Sequence, residues 1–439
     1  MSVSDWRHSI LAFPLAMAMT LVAKEASAIP AFARQTGMSC SSCHDAWPRL
    51  NDFGELYRDR GYRTATSDED SWAKLLDTLK SVPASVRTTV GYNYAVATNQ
   101  ATDNGPRTIG SGGFAAPAAD IYFGAALHSH ISVYIDIAGF GPDGLASLES
   151  AWVRFNDLPS NWLNIKLGKL EQDLPLSMHR SLTIIAPFAI YDYHPGGSSN
   201  GFHLNENQLG IELMGHANGP GLRYALSFST NSDAGANGIA SAPNVYAHVT
   251  HTTLIASRLF ARFRIGAMGQ IGWWPTKYAM LTPDGGTPQT VAGTGFEQKI
   301  SGHAGLDMQL TFGSLARPIV LTLVWMYGQE DAALIPSATR DGRFHGGFAQ
   351  LDYTPLLPLT FGVRYDGAYN IAQGDESQSA GSGQTQGVSA FVRYSLWMST
   401  WGGVALHFEG STTNIANASP IAGLAVRNTF AFGGVDLLL

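Results

Sequence analysis

From about residue 84 onward the chain alternates between polar and apolar positions with a period of two. In FEQKISGHAGLDMQLTF, Glu297, Lys299, Ser301, His303, Gly305, Asp307, Gln309 and Thr311 share one face. Ile300, Ala304, Leu306, Met308, Leu310 and Phe312 share the other. LTFGVRYDGAYN repeats the scheme, with Arg364, Asp366 and Asn370 opposite Phe361, Val363, Tyr365 and Tyr369. NWLNIKLGKL and GVALHFEG follow it as well. Such segments of about ten residues, polar on one side and bare apolar on the other, predict a transmembrane β-barrel with a polar interior.

Connection lengths sharpen the expectation. Short turns near 157–161, 218–221, 313–317, 355–358 and 399–402 alternate with longer stretches near 99–119, 171–204, 231–243, 275–296, 330–341 and 371–386. Outer-membrane barrels have short periplasmic turns and long outer loops. The candidate strands number about 16, and an even count returns both ends of the barrel to the periplasmic side. A soluble β-sandwich could use the same alternation by burying the apolar face in a core, but the rhythm of connections favours the barrel. Inward parity then assigns Arg154, Lys166, Glu212, Asp307, Arg364, Asp366, Arg393 and Glu409 to the lumen.

Composition agrees. Charged residues make up 14% of the 439 residues, aromatic residues 11%, and there are 48 glycines; ordinary soluble domains carry about 25% charged residues. Mean hydropathy is −0.01, so the chain is not a bundle of apolar helices. The net charge of −7 is the wrong sign for a nucleic-acid partner, and no nucleotide motif is present.

The N-terminal part obeys a different pattern. Arg7 and His8 precede the apolar run ILAFPLAMAMTLVA, and Ala26, Ser27 and Ala28 form an A-x-A-like cleavage site. Residues 1–28 therefore read as a signal peptide, and the mature chain is exported. Residues 29–65 hold both cysteines, in GMSCSSCHDAW, followed by RLNDFGELYRDRGY, a partial helical pattern with Leu50, Phe53, Leu56 and Tyr57 on one side. Residues 66–83 read as a short capped linker helix ending at Pro83, and residues 84–439 as the barrel.

Cys40 and Cys43, with His44 next, spell C-x-x-C-H. Zinc would need a second ligand pair, a redox dithiol would need a βαβ context, and a disulfide would leave His44 without a role. The spacing is the attachment signature of haem c: two thioether bonds, and an imidazole placed as the proximal iron ligand. Residues 29–65 are too few to build a core around a haem unaided, so the segment is expected to plug the lumen and borrow the barrel wall. Met38, two residues before Cys40, falls on the wrong side for the distal face. His303, His407 and Met326 face the lumen by parity and read as lumen residues rather than iron ligands.

PAFARQTGMSCSSCHDAWPRLNDFGELYRDRGY (Pro30–Tyr62) resembles the N-terminus of the fused outer-membrane cytochrome–porin family, whose best-known members oxidise ferrous iron. The matching positions are Phe32 to Gly37, Cys40 to His44, Pro48 and Leu50, Phe53 and Gly54, and Gly61 and Tyr62, with Tyr57 where the family often has Phe. The resemblance implies one covalent haem c and electron transfer across the bacterial outer membrane. The donor would be extracellular Fe(II) or another small reductant, and the acceptor a soluble periplasmic electron carrier. Glu171, Asp173, Asp192, His194, His203 and Glu206, in or beside the longest outer loop, are candidates to meet such iron or simply to solvate the loop. The alternatives are a diffusion porin with a structural or gating haem plug, and an exported soluble haem enzyme.

Overall fold

The computed structural model describes residues 30–64, 83–100, 105–139, 147–195, 198, 200, 202–230, 243–255, 257, 259–280, 289–291, 297–335, 338–371, 384–416 and 425–439. The expected signal peptide and, apart from Pro83, the expected linker helix lie outside them.

Period-two alternation becomes a closed antiparallel barrel of sixteen strands among the described residues. They are β1 (Ala84–Gln100), β2 (Arg107–His128), β3 (Ile131–Ala138), β4 (Ser147–Phe155), β5 (Asn164–Leu170), β6 (Gln208–His216), β7 (Leu222–Thr230) and β8 (Pro243–Leu254). The second half is β9 (Phe260–Met280), β10 (Glu297–Ser314), β11 (Arg317–Glu330), β12 (Gly342–Leu356), β13 (Leu359–Asn370), β14 (Thr385–Ser399), β15 (Gly402–Ile415) and β16 (Val426–Leu438). Each pairs with its sequence neighbour, and β16 closes on β1 from Arg427↔Thr98 to Leu438↔Arg87. A three-residue strand, Gln289–Val291, adds to the far end of β9. Closure leaves no unpaired edge, which is the condition for strands to cross a bilayer.

β10 shows the two faces as expected. Ser301, His303, Asp307, Gln309 and Thr311 are buried inward, whereas Ile300 is 51% and Leu306 57% exposed on the outer surface. The same outward apolar positions recur in β1 (Val90, Tyr92), β6 (Leu209, Ile211), β9 (Ile265, Ile271) and β13 (Val363, Tyr365). Side chains that no soluble core covers are stable there only against lipid.

Two expected loops are different in the structure. Residues 99–119 are largely strand: β1 runs to Gln100 and β2 starts at Arg107, paired through Gly91↔Ala115 and Tyr92↔Phe114. Gly and Ala give this stretch no polar–apolar contrast, so its sequence conceals its period. The described residues between 171 and 207 do not project outward as an outer loop. They fold into the lumen, where Leu174, Leu176, Phe188, Ile190, Tyr191 and Phe202 pack against inward Tyr246, Met268, Val324, Met326, Phe344 and Phe348. Apolar side chains amid the loop's polar residues drive that burial.

Polar bonds then hold the loop across the bore. The Glu409 carboxylate accepts the backbone N–H groups of Ile184 (2.6 Å), Ile185 (3.2 Å) and Ala186 (2.8 Å). Arg364 donates to the carbonyls of Ala186 (2.7 Å) and Pro187 (2.8 Å) and lies over the Phe188 ring. The loop leaves the wall at β5 and is fastened to β13 and β15 on a distant part of the circle.

Candidate functional site

The segment 30–64 is built from α1 (Pro30–Thr36), a single 3-10 turn at Cys40–Ser42, a short ladder of His44–Ala46 with Arg49–Leu50, and α2 (Asp52–Asp59). Asn51 organises the join. Its side chain caps α2 by accepting from Gly54 N (2.9 Å) and donates to the carbonyls of Ser41 and Ser42, while its backbone N–H bonds Cys43 O at 2.8 Å. Gly54 lets the helix lie on the motif, because a Cβ there would stand 2.1 Å from Cys43 O. The buried face of α2 is Gly54, Tyr57 and Asp59; Phe53, expected on that face, is 42% exposed.

Charges dock the segment at the short-turn end of the barrel. Arg49 bridges Asp45 (2.9 Å) and Asp352 of β12 (3.1 Å). Asp52 meets Arg262, Glu55 meets Arg264 (3.3 Å), and Asp59 meets Arg223 (2.9 Å). Arg154 of β4 donates to the carbonyls of Arg58 and Asp59 at the end of α2. Trp47 lies against two guanidiniums, 4.7 Å from Arg87 and 4.5 Å from Arg393, which both pair with Asp436. Gly61, at φ +68°, brings its carbonyl to the Ser132 hydroxyl at 2.6 Å. These partners come from β1, β3, β4, β7, β9, β12, β14 and β16, so the segment touches the wall around its circumference.

Between the segment, the inward loop and the wall lies a cavity of about 420 Å³. Cys43, His44, Leu50, Tyr57 and Tyr62 line it from the segment. Tyr122, Tyr134 and Trp152 line it from the wall, and Gln172, His179 and Arg180 from the loop. Its aromatic side is continuous: Tyr62 stacks on Phe32 with centroids 4.2 Å apart, and Tyr134 stacks on Trp152 at 5.5 Å.

The motif residues have the chemistry that a haem attachment site asks for. Cys43 is a free, buried thiol, and burial pushes its pKa up to about 11, so it is held neutral. His44 Nδ1 lies 3.1 Å from both Pro48 O and Arg49 O, which fixes that nitrogen as the N–H donor and leaves the Nε2 lone pair free. Burial lowers the His44 pKa to about 4, which keeps the imidazole neutral, the form that binds metals. Cys40 begins the 3-10 turn. The cavity has one aromatic side and an otherwise charged lining that includes Arg58, Arg87, Arg154 and Glu212; its aromatic side, with a thiol and a neutral, oriented imidazole, fits haem c.

The lumen residues expected from parity are inward and buried: Arg154, Glu212, Asp307, Arg364, Asp366, Arg393 and Glu409 all have 6% exposure or less, and Lys166 pairs with Glu212 at 2.5 Å. Of the loop residues considered for ferrous iron, Asp192, His194 and His203 lie near one another, with His203 Nδ1 3.7 Å from Asp192 and the two imidazole rings 5.2 Å apart. Asp173 binds Arg223 and His248, Glu171 faces Arg180 at 3.5 Å, and His194 binds Glu330 at 2.5 Å. Among the described residues no three carboxylate, imidazole or thiol groups form a metal cluster. Sequence reading missed the loop's part in the cavity, including Gln172 and His179, because nothing local marks a loop as folded inward.

No protein-family model matches the sequence, and no curated protein matches it. Solved structures do match the fold. The anion-selective porin from Comamonas acidovorans is 11% identical over 81% of this chain and 99% of that one, with a TM-score of 0.52. The outer membrane channel DcaP of Acinetobacter baumannii (11%, covering 81% and 97%) and OprB of Pseudomonas putida (12%, covering 84% and 97%) each give 0.49. At such identity the likeness is one of fold. With its apolar belt and closed sheet, the chain is a porin-type β-barrel of the bacterial outer membrane.

Proposed function

We propose that Cys40, Cys43 and His44 hold one covalent haem c in the cavity, and that the protein passes electrons across the outer membrane. The observation that carries this reading is the placement of Cys43 and a preoriented His44 on a cofactor-sized cavity inside the barrel. When bound, haem c supplies a one-electron couple. The chain's own residues do the rest. The backbone carbonyls of Pro48 and Arg49 orient His44, Tyr62, Tyr134 and Trp152 supply an aromatic side for the group to lie against, and the docked segment with the latched loop occupies the bore. Short turns mark the periplasmic end, so the segment faces a soluble periplasmic carrier. A small reductant arrives at the opposite end. Ferrous iron is the first candidate on the N-terminal resemblance, and a site inside the barrel shortens a gap of about 30 Å of hydrocarbon.

The test adds ferrous iron anaerobically, over a range of pH, to vesicles with the protein's outer face exposed, and follows the haem spectrum. Reduction is expected. Reduction by a periplasmic donor alone would reverse the direction of flow. The barrel's porin likeness favours a second reading, a diffusion porin gated by its haem segment. Flux of small sugars through the purified protein in liposomes separates the two: an electron conduit stays near the protein-free rate, a porin does not.

A further inference from the structure

We propose that His179 of the inward loop is the distal iron ligand, so that the haem is held between the N-terminal segment and the loop. The inference rests on the haem reading above. Besides His44, the cavity is lined by three side chains of the kinds that complete low-spin haem coordination, His179, Met214 and Lys166, and the Lys166 ammonium is held by Glu212 at 2.5 Å. Met214 is 4% exposed and fixed within β6. His179 stands on a single 3-10 turn, Met178–Arg180, and its residue is exposed on the open space of the cavity. Among the described residues its imidazole makes no hydrogen bond. Met38, His303, His407 and Met326 are not among the residues lining this cavity.

A second observation marks the same loop wall as built for an occupant. Gln172 is 1% exposed and lines the cavity, yet neither its amide nitrogen nor its amide oxygen has a partner. A buried amide left wholly unpaired is costly, because neither of its polar atoms regains what it lost on leaving water. Residues 172–180 therefore bring an unused amide and an unused imidazole to the cavity that holds His44. The turn is tethered rather than loose: Arg180 donates to Leu174 O at 3.1 Å and to the Ser177 hydroxyl at 3.3 Å. It can present His179 without rebuilding the loop, whose far end is fastened independently by Glu409 and Arg364.

The experiment uses the full-length purified holoprotein and reads absorption and electron paramagnetic resonance spectra of the ferric state. Wild type is expected to be six-coordinate and low-spin. His179→Ala should lose the low-spin signal, become high-spin, and recover it on addition of free imidazole. His179→Met should stay low-spin with a raised reduction potential, because thioether replaces imidazole; it also serves if the Ala variant fails to fold. A high-spin wild type, or a low-spin spectrum unchanged in His179→Ala, overturns the ligand assignment, as does its loss in Met214→Leu alone. Haem staining on a denaturing gel separates the two levels. Stained haem with an unchanged spectrum defeats only this inference, whereas an unstained wild type defeats the haem reading with it.

Discussion

Gly54 and Asn51 decide how firmly the C-x-x-C-H turn is held. Asn51 ties the Ser41, Ser42 and Cys43 carbonyls of the motif to the start of α2, where it caps Gly54 N, and loss of such a cap costs about 1 kcal/mol. Gly54 is the stricter residue, since the atom 2.1 Å from its added Cβ is the Cys43 backbone carbonyl, which cannot rotate away. Gly54→Ala is therefore expected to push α2 off the motif. Covalent haem on a denaturing gel should fall severalfold, with Cys40→Ala/Cys43→Ala as the zero, while the unheated protein keeps barrel mobility on gels. Full staining in Gly54→Ala would mean that the turn tolerates displacement. At this scale the sequence was largely legible: the thiols, the imidazole and Gly54 all stood in a recognisable run. His179 was not, because nothing near it in the chain shows that it lies on the cavity with His44.

Among the elements, the strands were easier to read than the loops. Alternation within β10 and β13 is strong because one face meets lipid and the other charged or polar partners. Alternation in β2 is weak because Gly and Ala satisfy either environment. The inward loop was misread for a different reason. Its Leu, Phe and Tyr residues are interspersed with polar ones and have no period, so only the tertiary structure reveals the core they make. Its latch supplies a prediction. Removing one partner of a buried, hydrogen-bonded ion network costs about 3–5 kcal/mol, and Arg364 serves the loop carbonyls as well as Asp366. Arg364→Ala should leave the wall closed, since its ladder bonds are backbone, but loosen residues 183–190. Limited proteolysis should then cut within 171–207, and single-channel conductance should rise. Uncut protein with unchanged conductance would place the loop's stability in its apolar cluster alone.

For the whole molecule, carboxylate–guanidinium pairs join segment and barrel. Residues 30–64 are below the size at which a chain builds its own core, and the barrel offers Arg223, Arg262 and Arg264 to Asp59, Asp52 and Glu55. Burial pushes the Glu55 carboxyl up, but Arg262 and Arg264 more than offset it, and its pKa ends below the usual carboxylate range. Asp59 behaves likewise, with Arg223 and Arg58 overcoming burial. A docked pKa below the free value means that the docked state binds fewer protons, so docking strengthens as pH rises and its stabilisation is complete above the free carboxylate pKa, about 4. It is lost as pH falls through the depressed values. The segment should therefore remain docked from neutral pH down to about 4 and release below that, while the backbone ladder of the barrel persists. Hydrogen exchange across α2 measured against pH checks this, with sugar flux through the same preparation as the second readout: exchange and flux should rise together in acid. Asp59→Asn should move the loss to higher pH or abolish docking outright, whereas exchange that stays flat through acid would assign docking to Trp47, Phe32 and the apolar contacts instead of to charge.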